Sequence, residues 1–205
     1  MPNKPLEWGY EKDCGNIVCG VDEAGRGPIA GRVYAAAVIL PEDVSENGCF
    51  AGLQDSKKLS AKKREELEEI IKKNAVTYSV AFCEVSEIEQ MNILEATLLA
   101  MRRAIDGLKI KPDFALIDGN ISRGFAVNAK AVVGGDGKVP SIAAASILAK
   151  TARDRYCIEV MDKEYPQYMF AKHKGYGTKA HYNAIKEYGP CPYHRQSFLK
   201  KFLEK

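Results

Sequence analysis

Apolar positions recur along this chain with two different spacings, and each spacing marks a kind of element. Ile17 to Val21 and Arg32 to Leu40 are short runs dense in Val, Ile and Ala, as expected of strands buried on both faces. The glycine-rich segment Gly25–Gly31 lies between them, so the two are expected to pair as a hairpin. Val76 to Val85 alternates and predicts a third strand; Phe114–Ile117 and Lys130–Val133 predict a fourth and a fifth. Helical spacing appears elsewhere. Ser60 is placed to cap a helix running to about Lys73. From Ser86 a helix follows in which Leu94, Leu98, Met101, Ile105 and Leu108 recur at steps of four and three, one buried face, until Lys111-Pro112 breaks the pattern. Ser141 to Met161 reads as a long alanine-rich helix, and a further one is expected near 178–188. Three consecutive strands followed by strands alternating with helices predict the α/β class, with a mixed sheet covered by helices.

At 205 residues the chain suits one domain with a full core. Composition is that of a globular protein, 46% hydrophobic and 28% charged, and no apolar run approaches the roughly 18 to 20 residues of a membrane span. Met1-Pro2-Asn3-Lys4-Pro5 lacks the basic-then-apolar build of a secretory signal, so a cytoplasmic location and no membrane partner are expected. The six cysteines show no Cys-x-x-Cys spacing and are expected to be free thiols; Cys191 with His194 is an incomplete hint of zinc. Charge changes the picture. Residues 1–149 hold 18 Lys/Arg against 21 Asp/Glu, and residues 150–205 hold 12 against 6, so the tail is the basic part. From Tyr165 to Phe202 it also carries 9 of the 17 Tyr and Phe residues, a mixture that suits either a nucleic-acid partner or a helical tail packed on the core.

Candidate chemistry stands where predicted strands end. Asp22 and Glu23 follow the first strand, Asp118 the fourth and Asp136 the fifth. If the first and fourth strands are neighbours, these carboxylates converge. Alternation would point Asp22 and Glu23 apart unless the strand ends or twists there, which the following Gly25-Arg26-Gly27 turn allows. Clustered carboxylates repel and raise one another's pKa unless cations occupy them, and oxygen-only ligands favour Mg²⁺ or Mn²⁺ over zinc. Two such ions can activate water and neutralise a scissile phosphate.

Seven segments, in order, closely resemble the motifs of ribonuclease HII: Asp22-Glu23-Ala24-Gly25-Arg26-Gly27-Pro28, Asp55-Ser56-Lys57, Ile117-Asp118-Gly119-Asn120, Gly135-Asp136-Gly137-Lys138-Val139-Pro140, Ala143 to Lys150, His173 to Thr178, and His194 to Phe198. The resemblance spans about Ile17 to Phe198. It implies a ribonuclease H-like fold with a helical C-terminal extension, here 1–164 as catalytic core and 165–205 as a substrate-contacting extension of the same structural domain. It implies a monomeric endonuclease acting on the RNA strand of RNA–DNA hybrids and 5′ of single ribonucleotides in duplex DNA, with Mn²⁺ or Mg²⁺, two ions, as cofactor. Asp22, Glu23, Asp118 and Asp136 resemble the metal-binding and catalytic carboxylates. Gly25, Arg26 and Gly27 resemble the turn that reads the ribonucleotide 2′-hydroxyl, and Tyr176 the tyrosine stacking on the next sugar.

Lys57 or Lys58 is a candidate phosphate contact, with a solvated helix-start lysine as the alternative. Asp154, flanked by Arg153 and Arg155, is expected in a structural ion pair and not as a ligand. His173, His181 and His194 are expected to be structural or substrate-contacting. One departure is that Gly134-Gly135-Asp136-Gly137 stands where the family commonly has Lys-Gly-Asp and a small residue. Gln196 to Leu203 carries spaced apolar residues like a sliding-clamp ligand, although a terminal amphipathic helix is the plainer reading. Other expectations left open are another carboxylate nuclease of the same fold and a non-catalytic hybrid-binding module. Ribonuclease HIII fits less well, since only about 16 residues precede the first strand.

Overall fold

The computed structural model describes residues 6–203, with side chains through Lys200. Five strands form one mixed sheet in the order β3-β2-β1-β4-β5: β1 Val18–Ala24, β2 Val33–Ile39, β3 Thr77–Cys83, β4 Phe114–Asp118 and β5 Asn128–Val132. β1 and β2 form the expected antiparallel hairpin, and β3 continues the meander on β2. β1 and β4 are parallel neighbours, as are β4 and β5. The first-and-fourth adjacency on which convergence of the carboxylates rests is therefore present.

The helices are α1 Ala61–Asn74, α2 Val85–Met91, α3 Ile93–Asp106, α4 Pro140–Tyr156 and, after it, the short α5 Asp162–Glu164, α6 Phe170–His173, α7 Lys179–Tyr188 and α8 Gln196–Leu203. Leu98, Met101, Ile105 and Leu108 pack against Cys19, Val21, Ala35 and Ile117 on one face of the sheet. The alanine-rich α4 covers the other face, where Ala143–Ala149 meet Ala36 and Val38 together with Leu67 and Ile71 of α1. A third apolar cluster joins Ile29, Ala30 and Tyr34 to Tyr168, Phe170, Ile185 and Leu199, anchoring the C-terminal segments to the loop between β1 and β2. Among the described residues no helix is long and apolar enough to cross a membrane.

The third and fifth strands are shifted, to Thr77–Cys83 and Asn128–Val132, and three other boundaries differ more from the sequence reading. The first strand does not stop at Val21: Asp22, Glu23 and Ala24 remain paired with β2, because β2 continues beyond the point where the β4 register ends at Val21–Ile117. The helix expected from Ser86 is two helices broken at Asn92, whose backbone is left-handed (φ 76°) and whose side chain caps the Leu94 and Glu95 amides. Asn suits both tasks. The long helix to Met161 loses α-helical register after Tyr156 and closes in a π-helical turn, Cys157–Met161.

Candidate active site

Register dictates what gathers at the carboxyl ends of β1 and β4. One step beyond the Val21–Ile117 pair, Asp22 and Asp118 lie side by side on parallel strands and share the face covered by α4. Asp22 is 3% exposed; its Oδ1 accepts from the Glu23 amide at 2.7 Å, and Ser146 of α4 hydrogen-bonds it. Ser146 is itself bridged at 2.8 Å to Ser56, in the turn preceding α1. Glu23 falls on the opposite face by alternation, with Oε1 at 3.4 Å from the Arg26 guanidinium. Asp118 Oδ1 accepts from the Gly135 amide at 2.7 Å, which fastens the turn after β5 to the end of β4. That turn carries Asp136, 7% exposed, with its Oδ2 at 3.4 Å from Lys57 Nζ.

The electrostatics follow. Burial pushes the Asp22 carboxyl well above the usual range, and the charges of Glu23 and Asp118 push it further. Glu23 is raised by burial, with Arg26 opposing and Asp118 adding. Asp136 is raised by burial and by Asp118, against the pull of Lys57. Lys57, which desolvation alone would lower, is raised by Asp136, Asp22 and Asp55. The four carboxylates thus form one coupled field. Among the described residues no three His, Cys, Asp or Glu side chains converge on a single metal-sized point. Glu23 turns to Arg26, Asp118 to a backbone amide and Asp136 to Lys57, so local donors occupy oxygens that a bound cation would claim. The donor set nevertheless suits hard divalent ions, and an ammonium already stands against Asp136.

Beside the carboxylates runs the Gly25–Gly31 turn. Gly25 has φ +104°, and a Cβ there would collide with the Arg153 side chain. Two buried arginines without a carboxylate partner hold the turn. Arg195 donates to the carbonyls of Gly25, Arg26, Pro28 and Gly31 at 2.7 to 3.1 Å. Arg153 donates to those of Ala30 and Arg32. Burial, with Arg153 adding, lowers Arg195 to about 9. No peptide bond in the turn is cis. The Gly25 and Arg26 carbonyls point inward, so the amides sharing their planes, those of Arg26 and Gly27, point outward at exposed positions. Tyr176, 46% exposed, lies across the same turn: a Cβ on Gly27 would stand 3.8 Å from its ring. The glycines flanking Tyr176 serve close packing and not reach, since a Cβ on Gly175 would strike the Ala30 carbonyl and one on Gly177 the Tyr182 ring.

Three comparisons with known proteins bear on the family and the fold. The family model described as Ribonuclease HII matches residues 19–201. This chain belongs to the ribonuclease HII family. A relative named Ribonuclease HII, from Caldicellulosiruptor bescii, is 52% identical over 203 residues, covering 99% of this chain and 94% of its own. The solved ribonuclease H2 of Pyrococcus horikoshii superposes with a TM-score of 0.74 at 27% identity, covering 93% of this chain and all of that one. A ribonuclease HIII solved with Mn²⁺ shares the fold, with a TM-score of 0.68 at 17% identity over 91% of this chain and 67% of that one. As a ribonuclease HII the chain is a metal-dependent hydrolase of the RNA strand in RNA–DNA hybrids.

The remaining candidates sort clearly. Asp154 is in ion pairs, as expected, but with Lys150 at 2.6 Å and Arg64 at 3.2 Å; the neighbours Arg153 and Arg155 serve the turn and Glu68 instead. A helix separates adjacent residues by about 100°, which puts these three on different sides. Lys58 lies 3.8 Å from Asp55, leaving Lys57 as the lysine facing the carboxylates. His173, His181 and His194 are buried, and Cys191 is a free thiol whose amide donates to His194. Within the clamp-like segment Leu199 is buried and Phe198 packs beneath Arg195; the side chains of Phe202 and Leu203 lie outside the described residues. Ser56, Ser146, Arg153 and Arg195 carry roles that sequence reading did not assign. For Arg195 the available signal was its aromatic neighbours, Tyr193 and Phe198; Arg153 stands in the charged Lys150–Arg155 stretch and carries none.

Proposed function

We propose that this ribonuclease HII cuts 5′ of a ribonucleotide, including a single one embedded in duplex DNA, leaving 3′-hydroxyl and 5′-phosphate ends. One observation carries the reading: two outward amides, Arg26 and Gly27, stand between the carboxylate field and the exposed ring of Tyr176. A 2′-hydroxyl both accepts and donates, so it can take hydrogen bonds from those amides, and a deoxyribose lacks it. The Tyr176 ring offers an apolar face to the following sugar. Arg26, half-exposed, and Lys57 supply positive charge to flanking phosphates. Asp22, Glu23, Asp118 and Asp136 would hold two divalent ions, Mg²⁺ or Mn²⁺, whose chemistry is to neutralise the scissile phosphate and make water nucleophilic. The 2′-hydroxyl serves as recognition handle and not as nucleophile. Residues 165–205 act as a substrate-contacting extension through Tyr176.

The test is a labelled duplex carrying one ribonucleotide, incubated with and without Mn²⁺, with the cut site and end groups mapped. Mn²⁺-dependent cleavage on the 5′ side with a 3′-hydroxyl is the expected result. A cyclic 2′,3′-phosphate, or equal cleavage of an all-DNA duplex, overturns it.

A further inference from the structure

The three histidines of the chain lie together beneath Tyr176, and the shorter of their hydrogen bonds select one set of tautomers. The Cys191 amide donates to His194 Nδ1 at 2.9 Å, closer than the Cys191 carbonyl at 3.3 Å, which assigns the proton to Nε2. His194 Nε2–H then donates to His181 Nε2 at 3.0 Å. His181 must therefore be protonated on Nδ1, which lies 2.9 Å from the Tyr176 carbonyl and donates to it. His173 closes the arrangement. It stacks on His181 with centroids 4.2 Å apart, its Nδ1 accepts the Gly175 amide at 3.3 Å and its Nε2 donates to the Tyr168 carbonyl at 2.7 Å. His181 and His194 are 0% and 2% exposed.

We propose that His194 and His181 are positioning residues: a directed hydrogen-bond relay, from the Cys191 amide through both imidazoles to the Tyr176 carbonyl, holds the Tyr176 ring over the Gly25–Gly27 turn. The relay also ties two segments that meet at the same turn, since His194 bridges Ala30 and its neighbour Arg195 holds the turn's carbonyls. It works only with both rings neutral, because a second proton on His181 would go to Nε2 and face His194 Nε2–H, and one on His194 would go to Nδ1 and face the Cys191 amide. The other titratable or charged groups around it are His173, Asp162 and Lys174 beside that ring, Tyr168 with its ring 4.9 Å from His194, and the Cys191 thiol. Its burial already favours neutrality: desolvation lowers both His181 and His194 to about 4.

The proposal rests on Tyr176 contacting substrate, and a double-mutant cycle separates the two claims. Cleavage kinetics on a duplex with one ribonucleotide, in Mn²⁺, are compared for the unaltered enzyme, His181→Phe, Tyr176→Ala and the double variant. Tyr176→Ala is expected to raise KM roughly tenfold, the scale of a lost stacking contact. His181→Phe, which keeps a ring but breaks the relay, is expected to raise KM several-fold with kcat nearly unchanged, and to add nothing in the Tyr176→Ala background. His181→Gln, whose amide can accept from His194 and donate to Tyr176, is expected to restore most of the affinity. Unchanged KM in Tyr176→Ala overturns the reading of Tyr176 itself, and the relay with it. A loss in Tyr176→Ala to which His181→Phe adds in full overturns the relay alone. Should His181→Phe fail to fold, ¹⁵N chemical shifts of the unaltered protein decide: His181 protonated on Nε2, or His194 on Nδ1, refutes the relay.

Discussion

The two halves of the site are built on opposite terms. At the carboxyl ends of β1 and β4, four carboxylates share one field and burial raises the pKa of three of them. Beside it, around the Gly25–Gly31 turn, the buried Arg195 guanidinium and the His181 and His194 rings are matched to carbonyls and amides. In the first region like charges face one another across a buried site, whereas the second is stiffened in advance. Like charges brought together cost stability until counter-charge arrives, while satisfied buried hydrogen bonds fix a geometry. The proposed cleavage beside a ribonucleotide needs both, side by side.

The contrast can be broken most severely at the carboxylates. Asp118→Asn or Asp22→Asn is expected to lower kcat on a ribonucleotide-containing duplex by at least roughly a hundredfold, the scale of losing one charge-stabilising group. Asp22→Asn should at the same time raise the melting temperature in chelator, by roughly 2–4 °C for each kcal/mol of repulsion removed. Lower stability in chelator would show that the field is not frustrated. On the other side, Arg195→Met leaves the carbonyls of Gly25, Pro28 and Gly31 without their donor and is expected to destabilise by about 3 kcal/mol, read from urea unfolding, with Arg195→Lys failing to rescue because an ammonium lacks the planar fork. Wild-type stability in Arg195→Met would remove the turn's proposed support.

Acid should separate the regions by sign. His181 and His194 titrate near 6.5 when unfolded and at about 4 when folded, so the unfolded chain binds more protons between those values. Their contribution is fully present above pH 6.5 and is lost as pH falls toward 4. The raised carboxylates act oppositely, their repulsion easing as they protonate. In chelator, His181→Gln is therefore expected to flatten the loss of stability between pH 6.5 and 4, and an unchanged slope would contradict the assigned burial of the ring. The smallest effect belongs to Lys57→Ala. Its ammonium is three-quarters exposed, and such pairs are worth about 0.2–1 kcal/mol, so activity should fall less than about tenfold.

Much of the site was legible before folding. Asp22 and Asp118 stand out because each directly follows an apolar run, and Asp136 because it stands in the glycine turn after one; the order β1, β4, β5 is enough to bring them near one another if the sheet is mixed. Asn92 was equally readable, as an N-cap inside a helical pattern, yet its break was hidden by an apolar stripe continuing at the same spacing. What could not be read was purpose in the basic tail. Its charge suggested solvent and phosphate, but Arg153 and Arg195 are buried and Tyr168, Phe170 and Tyr193 line the core, leaving Tyr176 as the ring that faces out over the turn.

By itself, then, the order of residues settled the strands, the hairpin, the face of α3 and the identity of the acidic side chains, because each follows from local spacing and from what a residue can bury. Tertiary structure decided which peptide planes of the Gly25–Gly31 turn face outward, which nitrogen of each histidine bears its proton, and that Lys57 stands against Asp136. Those depend on partners 169, 13 and 79 residues away in the chain, and hydrogen-bond direction is a property of both partners at once.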